Sequence, residues 1–408
     1  MHSKRLLVGL ALALLALAAA PALAQGGWFA YVYNSLTGDL VRVDAAGAQQ
    51  VYNLGLSANT YVSGFDMAFT PDGSRVAFCA FEIMPDSAQG AATLYVRDIA
   101  VGTNLLSLNL GGAIGCRVTR SAWDESLTQV AVSVVRYYPG DPQADASVPA
   151  WDLSVVDVAS GSVVSRLDAA APAVAAAGIF TGAAIMPEVR RFSGGEIVFV
   201  EIPWGVGGGA EYPAWVWQPA AGALTPEPTG IWGKSSLRWL PAADELVWLD
   251  ADPSLSAVQQ DGPVPPYNVV MVARGEQAGL LLHSADRTPV DMAYINGGAQ
   301  LAVLLLPPAD FAAAGSQPGD WVALDRAGGQ TPLRPAPQYS ALADAPGGYA
   351  IFELVYGSDL SAPQAALTLV SGGAARLLWS AGDQGWELAW AAPVPASADL
   401  PPFPVTAP

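Results

Sequence analysis

The chain has 408 residues, with 36 Asp and Glu against 18 Lys and Arg and a formal net charge of −18. That balance argues against nucleic acid and anionic membrane surfaces as partners, because long-range repulsion opposes both. Two histidines and two cysteines exclude a His-rich metal site and a disulfide-dense scaffold.

Residues 1–24 read as a secretory signal. His2, Lys4 and Arg5 make a basic start, residues 6–20 are apolar but too few for a comfortable membrane span, and Ala22-Leu23-Ala24 is a small-residue cleavage pattern. Cleavage there starts the mature chain near Gln25 and places it outside the cytoplasm, in a periplasm or at the cell exterior. An uncleaved N-terminal anchor is the other reading of the segment. No later stretch is long and apolar enough to span a bilayer.

Residues 28–33, 39–44 and 50–54 predict three strands, separated by Thr37-Gly38 and Gly47. The stretch that patterns the rest follows: Asp66-Met67-Ala68-Phe69-Thr70-Pro71-Asp72-Gly73-Ser74-Arg75-Val76-Ala77-Phe78. Pro71 presets φ, Asp72 can bond its own backbone and Gly73 tolerates positive φ, so Thr70 to Gly73 is a turn between two strands of period two. The phrase returns about every 50 residues, a spacing that means a solenoid or a propeller. Phe69, Trp123, Phe192, Trp239, Tyr294, Asp344 and Trp390 occupy its anchor position, aromatic in all but Asp344.

Each unit continues with a third and a fourth strand, as in Leu94-Tyr95-Val96 then Leu105-Leu106-Ser107, or Leu367-Thr368-Leu369 then Arg376-Leu377-Leu378. Four short strands in about 40–50 residues make a propeller blade. The first unit lacks an innermost strand, and residues 386–391 are an innermost strand without its other three. Sharing one blade between the two ends removes free sheet edges. The predicted fold is therefore all-β: a seven-bladed β-propeller of four-stranded antiparallel blades over residues 25–392, closed by C-terminal pairing with the N-terminal blade.

Cys79 lies in a second strand and Cys116 opens the next unit's first strand. In a secreted protein the pair reads as a disulfide between adjacent blades, with two buried free thiols as the other reading. Residues 169–182 are an Ala-rich connector, read as a loop with one helical turn, with a short helix as the other reading. Residues 393–408 hold six prolines and read as an extended tail or linker.

The phrase from Phe69 to Phe78 resembles the WD-repeat-like repeat of TolB-type periplasmic proteins and of the propeller domain in prolyl-oligopeptidase-type peptidases. The match is close in one unit and partial in five others. The resemblance implies the fold and leaves the chemistry open. A peptidase of that kind would need an α/β-hydrolase domain with a Gly-x-Ser-x-Gly elbow, and these residues contain none. They lack the N-terminal domain of TolB-type proteins as well.

The mature chain has one histidine, His283, at the end of a last strand, where a surface role is expected rather than a triad. No cofactor and no metal is expected. Connections between second and third strands are long and fall on one rim, the usual place for binding residues. That rim collects Tyr137, Tyr138, Trp204, Glu211, Tyr212, Trp232 and Tyr267, aromatic planes with a carboxylate, suited to a sugar, a peptide or a cation. Packing of the loops onto the ring is the competing reading. The expected function is a secreted, monomeric, non-enzymatic binding or scaffold module for a protein, peptide or glycan. The alternative is a propeller-type hydrolase or lyase acting on an extracellular polysaccharide, peptide or lactone, marked by polar residues converging in the central channel.

Overall fold

The computed structural model describes residues 27–57, 59–83, 90–137, 148–179, 185–203, 211–234, 236–251, 268–275, 277–284, 287–307, 319–336, 339–355, 363–396 and 399–406. They form seven antiparallel sheets. Blade 1 is Trp386–Ala391, Phe29–Asn34, Asp39–Asp44 and Gln49–Asn53 from the inside outward. The inner strand pairs Tyr31 with Trp390, Val32 with Leu388 and Tyr33 with Glu387, with a bulge between Tyr31 and Val32. This is the closure that the split repeat predicts.

The innermost strands of blades 4 to 7 are Ile185–Ser193, Arg238–Leu240, Thr288–Ile295 and Tyr339–Ala345. Blades 2 and 3 depart from that regularity. In blade 2 the inner strand is broken into Thr60–Tyr61 and Met67–Phe69 by a 3-10 turn, Gly64–Asp66, and both pieces pair with Arg75–Ile83. In blade 3 it is only Gly115–Arg117, followed by an isolated bridge between Trp123 and Val130. The repeat does not show these breaks, because each lies N-terminal to the phrase that recurs.

The recurring turn is tied to the ring. The Asp72 carboxylate accepts from the Thr70 hydroxyl at 2.6 Å and from the Ser74 N–H at 3.0 Å. Gly73 has φ +66°, and a Cβ there would lie 2.8 Å from Phe29 and 2.9 Å from Trp390. Only glycine meets both demands. Around it Tyr31 and Phe69 stack at 5.1 Å and Phe69 and Trp390 at 5.6 Å, while the Tyr31 hydroxyl donates to the Gly73 carbonyl. Other blades are latched by aromatic donors: Trp123 Nε1 to the Ala68 carbonyl and Trp28 Nε1 to the Asp344 carbonyl.

Cys79 and Cys116 form a disulfide across blades 2 and 3. The Ala-rich connector holds a short helix, α1, Pro172–Ala177, ended by Gly178 with φ +76°. Among the described residues no helix is long and apolar enough to cross a membrane. Over its described residues the proline-rich tail forms no helix or strand, and it is docked. Phe403 is buried with Val272 and Leu324 of blades 5 and 6, Arg326 lies over its ring at 4.2 Å, and Thr406 bridges Leu280 on the outermost strand of blade 5. Proline content reports backbone stiffness; it carries no signal for what one aromatic ring will find to pack against.

Two outcomes follow. Replacing both cysteines by serine releases a 37-residue separation, and urea titration should show a loss of at most about 4 kcal/mol, the chain-entropy value for such a loop. Phe403→Ala should cost about 3 kcal/mol by the same titration, whereas a merely solvated tail would show no change.

Candidate active site

The innermost strands deliver charge to the centre of the ring. Three residues before the anchor aromatic stand Asp66, Arg120, Asp291 and Glu387, in blades 2, 3, 6 and 1. Arg117 comes from the shortened strand of blade 3, Glu188 and Arg190 from blade 4, Arg238 from blade 5 and Tyr339 from blade 7. Every blade thus contributes. Four carboxylates face four guanidiniums, so the central charge is balanced although the chain is strongly acidic.

The ion pairs are geometric. Arg117 Nε lies 2.8 Å from Asp66 Oδ1 and its Nη1 3.0 Å from Glu188 Oε2. Arg190 Nη2 lies 3.0 Å from Glu188 Oε1. Arg238 Nη2 lies 2.6 Å from Asp291 Oδ1, and its Nε donates to the Met292 carbonyl. Glu387 Oε2 accepts the Gly64 N–H at 2.9 Å, which the break in blade 2 makes available. Arg120 donates to the Leu388 carbonyl and lies in the field of Glu387, Asp291, Arg238 and Tyr339. It is enclosed by the ring yet exposed to solvent, as a side chain in an open channel is.

Glu387 and Asp66 stand out within this set. Burial pushes both carboxyls above their ordinary range. Arg117 opposes the rise at Asp66, the Gly64 N–H opposes it at Glu387, and each carboxylate lies among like charges, Asp66 near Glu188 and Glu387 near Asp66. Burial, together with Glu387 and Asp291, pushes Tyr339 up to about 12, so it stays a hydroxyl donor. Two carboxyls with raised proton affinity, next to fixed guanidiniums, are a pair suited to proton transfer. Among the described residues no three His, Cys, Asp or Glu side chains converge to hold a metal ion.

The residues expected on the loop rim are placed as follows. Trp204, Tyr138 and Tyr267 lie outside the described residues. Tyr137 is half-buried and donates its hydroxyl to the Val148 carbonyl. Glu211 is exposed and pairs with Lys234 at 2.9 Å; the half-buried Tyr212 donates its N–H to the Gly233 carbonyl. Trp232 is buried, edge-on to Trp239 and under the Arg191 guanidinium. The structure thus brings Glu211, Tyr212 and Trp232 together and leaves Tyr137 on another blade. His283 is exposed at the end of the outermost strand of blade 5.

Four members of the inner-strand set, Asp66, Arg120, Asp291 and Glu387, are visible in the repeat as a charge three residues before the aromatic. The aromatics draw attention because they are large, but Met67 and Phe69 pack between blades, and the channel belongs to the charged positions. Asp344, the polar anchor, sits at the opposite end of its strand from Tyr339. Both its oxygens accept the Gly297 N–H, at 3.1 and 3.0 Å, between blades 6 and 7.

No protein-family model and no curated protein sequence matches the chain. Solved structures do. An acylaminoacyl peptidase from Pyrococcus horikoshii is 14% identical with a TM-score of 0.47, over 86% of this chain and 52% of its own. The β-propeller domain of the Trilobed protease from Pyrococcus furiosus is 14% identical with a TM-score of 0.45, over 87% of this chain and 97% of its own. A putative TolB from Agrobacterium tumefaciens is 10% identical with a TM-score of 0.37, over 77% of this chain and 91% of its own. The chain spans about half the length of the acylaminoacyl peptidase it matches, and at these identities the likeness is one of propeller fold. The expectation of a non-enzymatic binding or scaffold module gives way to its alternative, because the channel holds the convergent polar set that the alternative requires.

Burial pushes the Asp344 carboxyl up to about 6, against its backbone bonds. A carboxyl raised on folding stabilises in its protonated form, so the contribution is full below the ordinary value of about 4 and lost as pH rises through the folded one. In urea titrations across pH, stability relative to Asp344→Asn should fall between pH about 4 and about 7; a difference independent of pH would count against it.

Proposed function

We propose that the protein is a peptidase-related propeller enzyme, a hydrolase or lyase acting outside the cytoplasm on a peptide or polysaccharide, with its chemistry in the central channel at Glu387 and Asp66. One observation carries the reading: side chains from all seven blades meet there, and six of the blades supply charged ones. Stability does not ask for this. Desolvating ion pairs offsets most of their attraction, and apolar residues of similar volume would hold a ring at least as well. Charge kept at such a position, with displaced proton affinities, marks a functional site.

In hydrolysis, a water adds to the scissile carbonyl or acetal carbon and gives its proton to ionised Asp66. Protonated Glu387 gives its proton to the departing nitrogen or oxygen, so one bond forms, one breaks and the protons balance. Arg117, paired with Asp66, favours its ionised form, and Arg120, open to the channel, faces negative charge as it develops. The Cys79–Cys116 disulfide fits an oxidising compartment, which supports secretion by the N-terminal signal.

The test is a turnover screen of the purified chain on neutral peptides and neutral polysaccharides. Glu387→Gln should lower kcat by about 10²-fold or more with little change in KM. The wild-type rate should fall as pH rises through the raised carboxyl range, since the acid must carry its proton. Absence of turnover on both substrate classes, or full activity in Glu387→Gln, would sink the reading.

A further inference from the structure

A cavity of about 460 Å³ opens beside the carboxyl pair, between blades 2 and 3. It lies at the end of blade 2 from which the connection after Ile83 departs, the rim of long loops. Its apolar lining includes Tyr61, Phe81, Ile114 and the Cys79–Cys116 disulfide, and its polar lining includes Asp66 and Arg117. The two broken inner strands create it. Where a regular blade would run a continuous strand, the 3-10 turn of blade 2 and the short strand of blade 3 leave space. The disulfide joins the two walls, with Cα atoms 5.9 Å apart, so the space is held open by a covalent strut.

Three features give this space a ligand class. Its volume is that of small-ligand sites, which start at about 300 Å³. Tyr61 is 57% exposed, an aromatic ring left in water at the lip. Asp66 belongs both to the cavity and to the carboxyl pair, so a group seated inside brings its neighbouring atoms to the reacting carboxyls. A sugar ring would leave hydroxyls unpaired against Phe81, Ile114 and sulfur, a loss that an apolar side chain avoids.

We propose that this cavity is a specificity pocket for a large apolar side chain, aromatic by preference, of a peptide substrate. The proposal rests on reading the channel as a hydrolytic site and selects peptide over polysaccharide. A phenyl ring lies against Tyr61 and the disulfide, and the peptide bond beside it reaches Asp66 and Glu387.

The experiment compares acetyl-Gly-Phe-Gly-amide with acetyl-Gly-Gly-Gly-amide by ligand-observed NMR, on the full chain carrying Glu387→Gln so that nothing turns over. The Phe peptide should bind at least about ten-fold more tightly. Tyr61→Ala, an exposed site that leaves folding intact, and Ile114→Trp, which fills the cavity, should each erase that difference. If Ile114→Trp does not fold, Tyr61→Ala decides alone. Equal binding of the two peptides, no binding of either, or a preference that survives Tyr61→Ala would overturn the pocket. A preference without wild-type turnover would instead sink the hydrolytic reading and leave the pocket standing; turnover without preference would do the reverse.

Discussion

The pairing of Trp386–Ala391 with Phe29–Asn34 is the constraint on which the rest depends. A blade without its innermost strand presents unpaired N–H and C=O groups to the channel, and a ring with such an edge has no reason to stay closed. The seam is reinforced by side chains at the blade 1–2 junction, where Phe29, Tyr31, Phe69 and Trp390 pack over Gly73. Glu387 sits on the closing strand, and its carboxylate takes the Gly64 N–H of blade 2. The contact that completes the ring therefore also builds half of the acid pair, so closure and chemistry are coupled through one residue.

The two irregular blades explain why the site is asymmetric. Seven equal inner strands would make a uniform channel. Blades 2 and 3 lose continuity between Tyr61 and Met67 and after Arg117, and the lost pairing frees backbone donors and opens the cavity. The disulfide lies at that weakened junction, where it replaces some of the restraint that the missing strand pairs would supply. On the opposite side, Arg326 spans Glu245 of blade 5 and the tail, donating to both Glu245 oxygens and to the Pro401 carbonyl. There a buried, bidentate pair does the stapling, with both charges hydrogen-bonded.

Much was legible from residue order. Period-two alternation, the Thr-Pro-Asp-Gly turn and the recurring anchor aromatic depend on local geometry, which the chain carries within ten residues at a time. The orphan strand at residues 386–391 was legible as well, since an incomplete unit at each end leaves one closed solution. The disulfide was one of two readings of the cysteine pair, and only the assembled ring shows the bond. Less legible were the docking of Phe403, which needs the gap between two blades to exist first, and the channel set. Asp66, Arg120, Asp291 and Glu387 recur at one offset from the aromatic, a signal present in the repeat but overshadowed by the larger side chains beside it.

By itself the sequence determined strands, turns, the number of blades and how the ring closes, because each of those is a short-range or counting property. Tertiary structure alone decided which side chains meet. Charges carried by six units, and a tyrosine hydroxyl from the seventh, share one channel only after closure brings the inner strands around a common axis. The proton affinity of Glu387 is then set by burial, by Gly64 and by Asp66 together. None of these is near Glu387 in sequence, and desolvation is a property of the assembled ring, not of any segment of it.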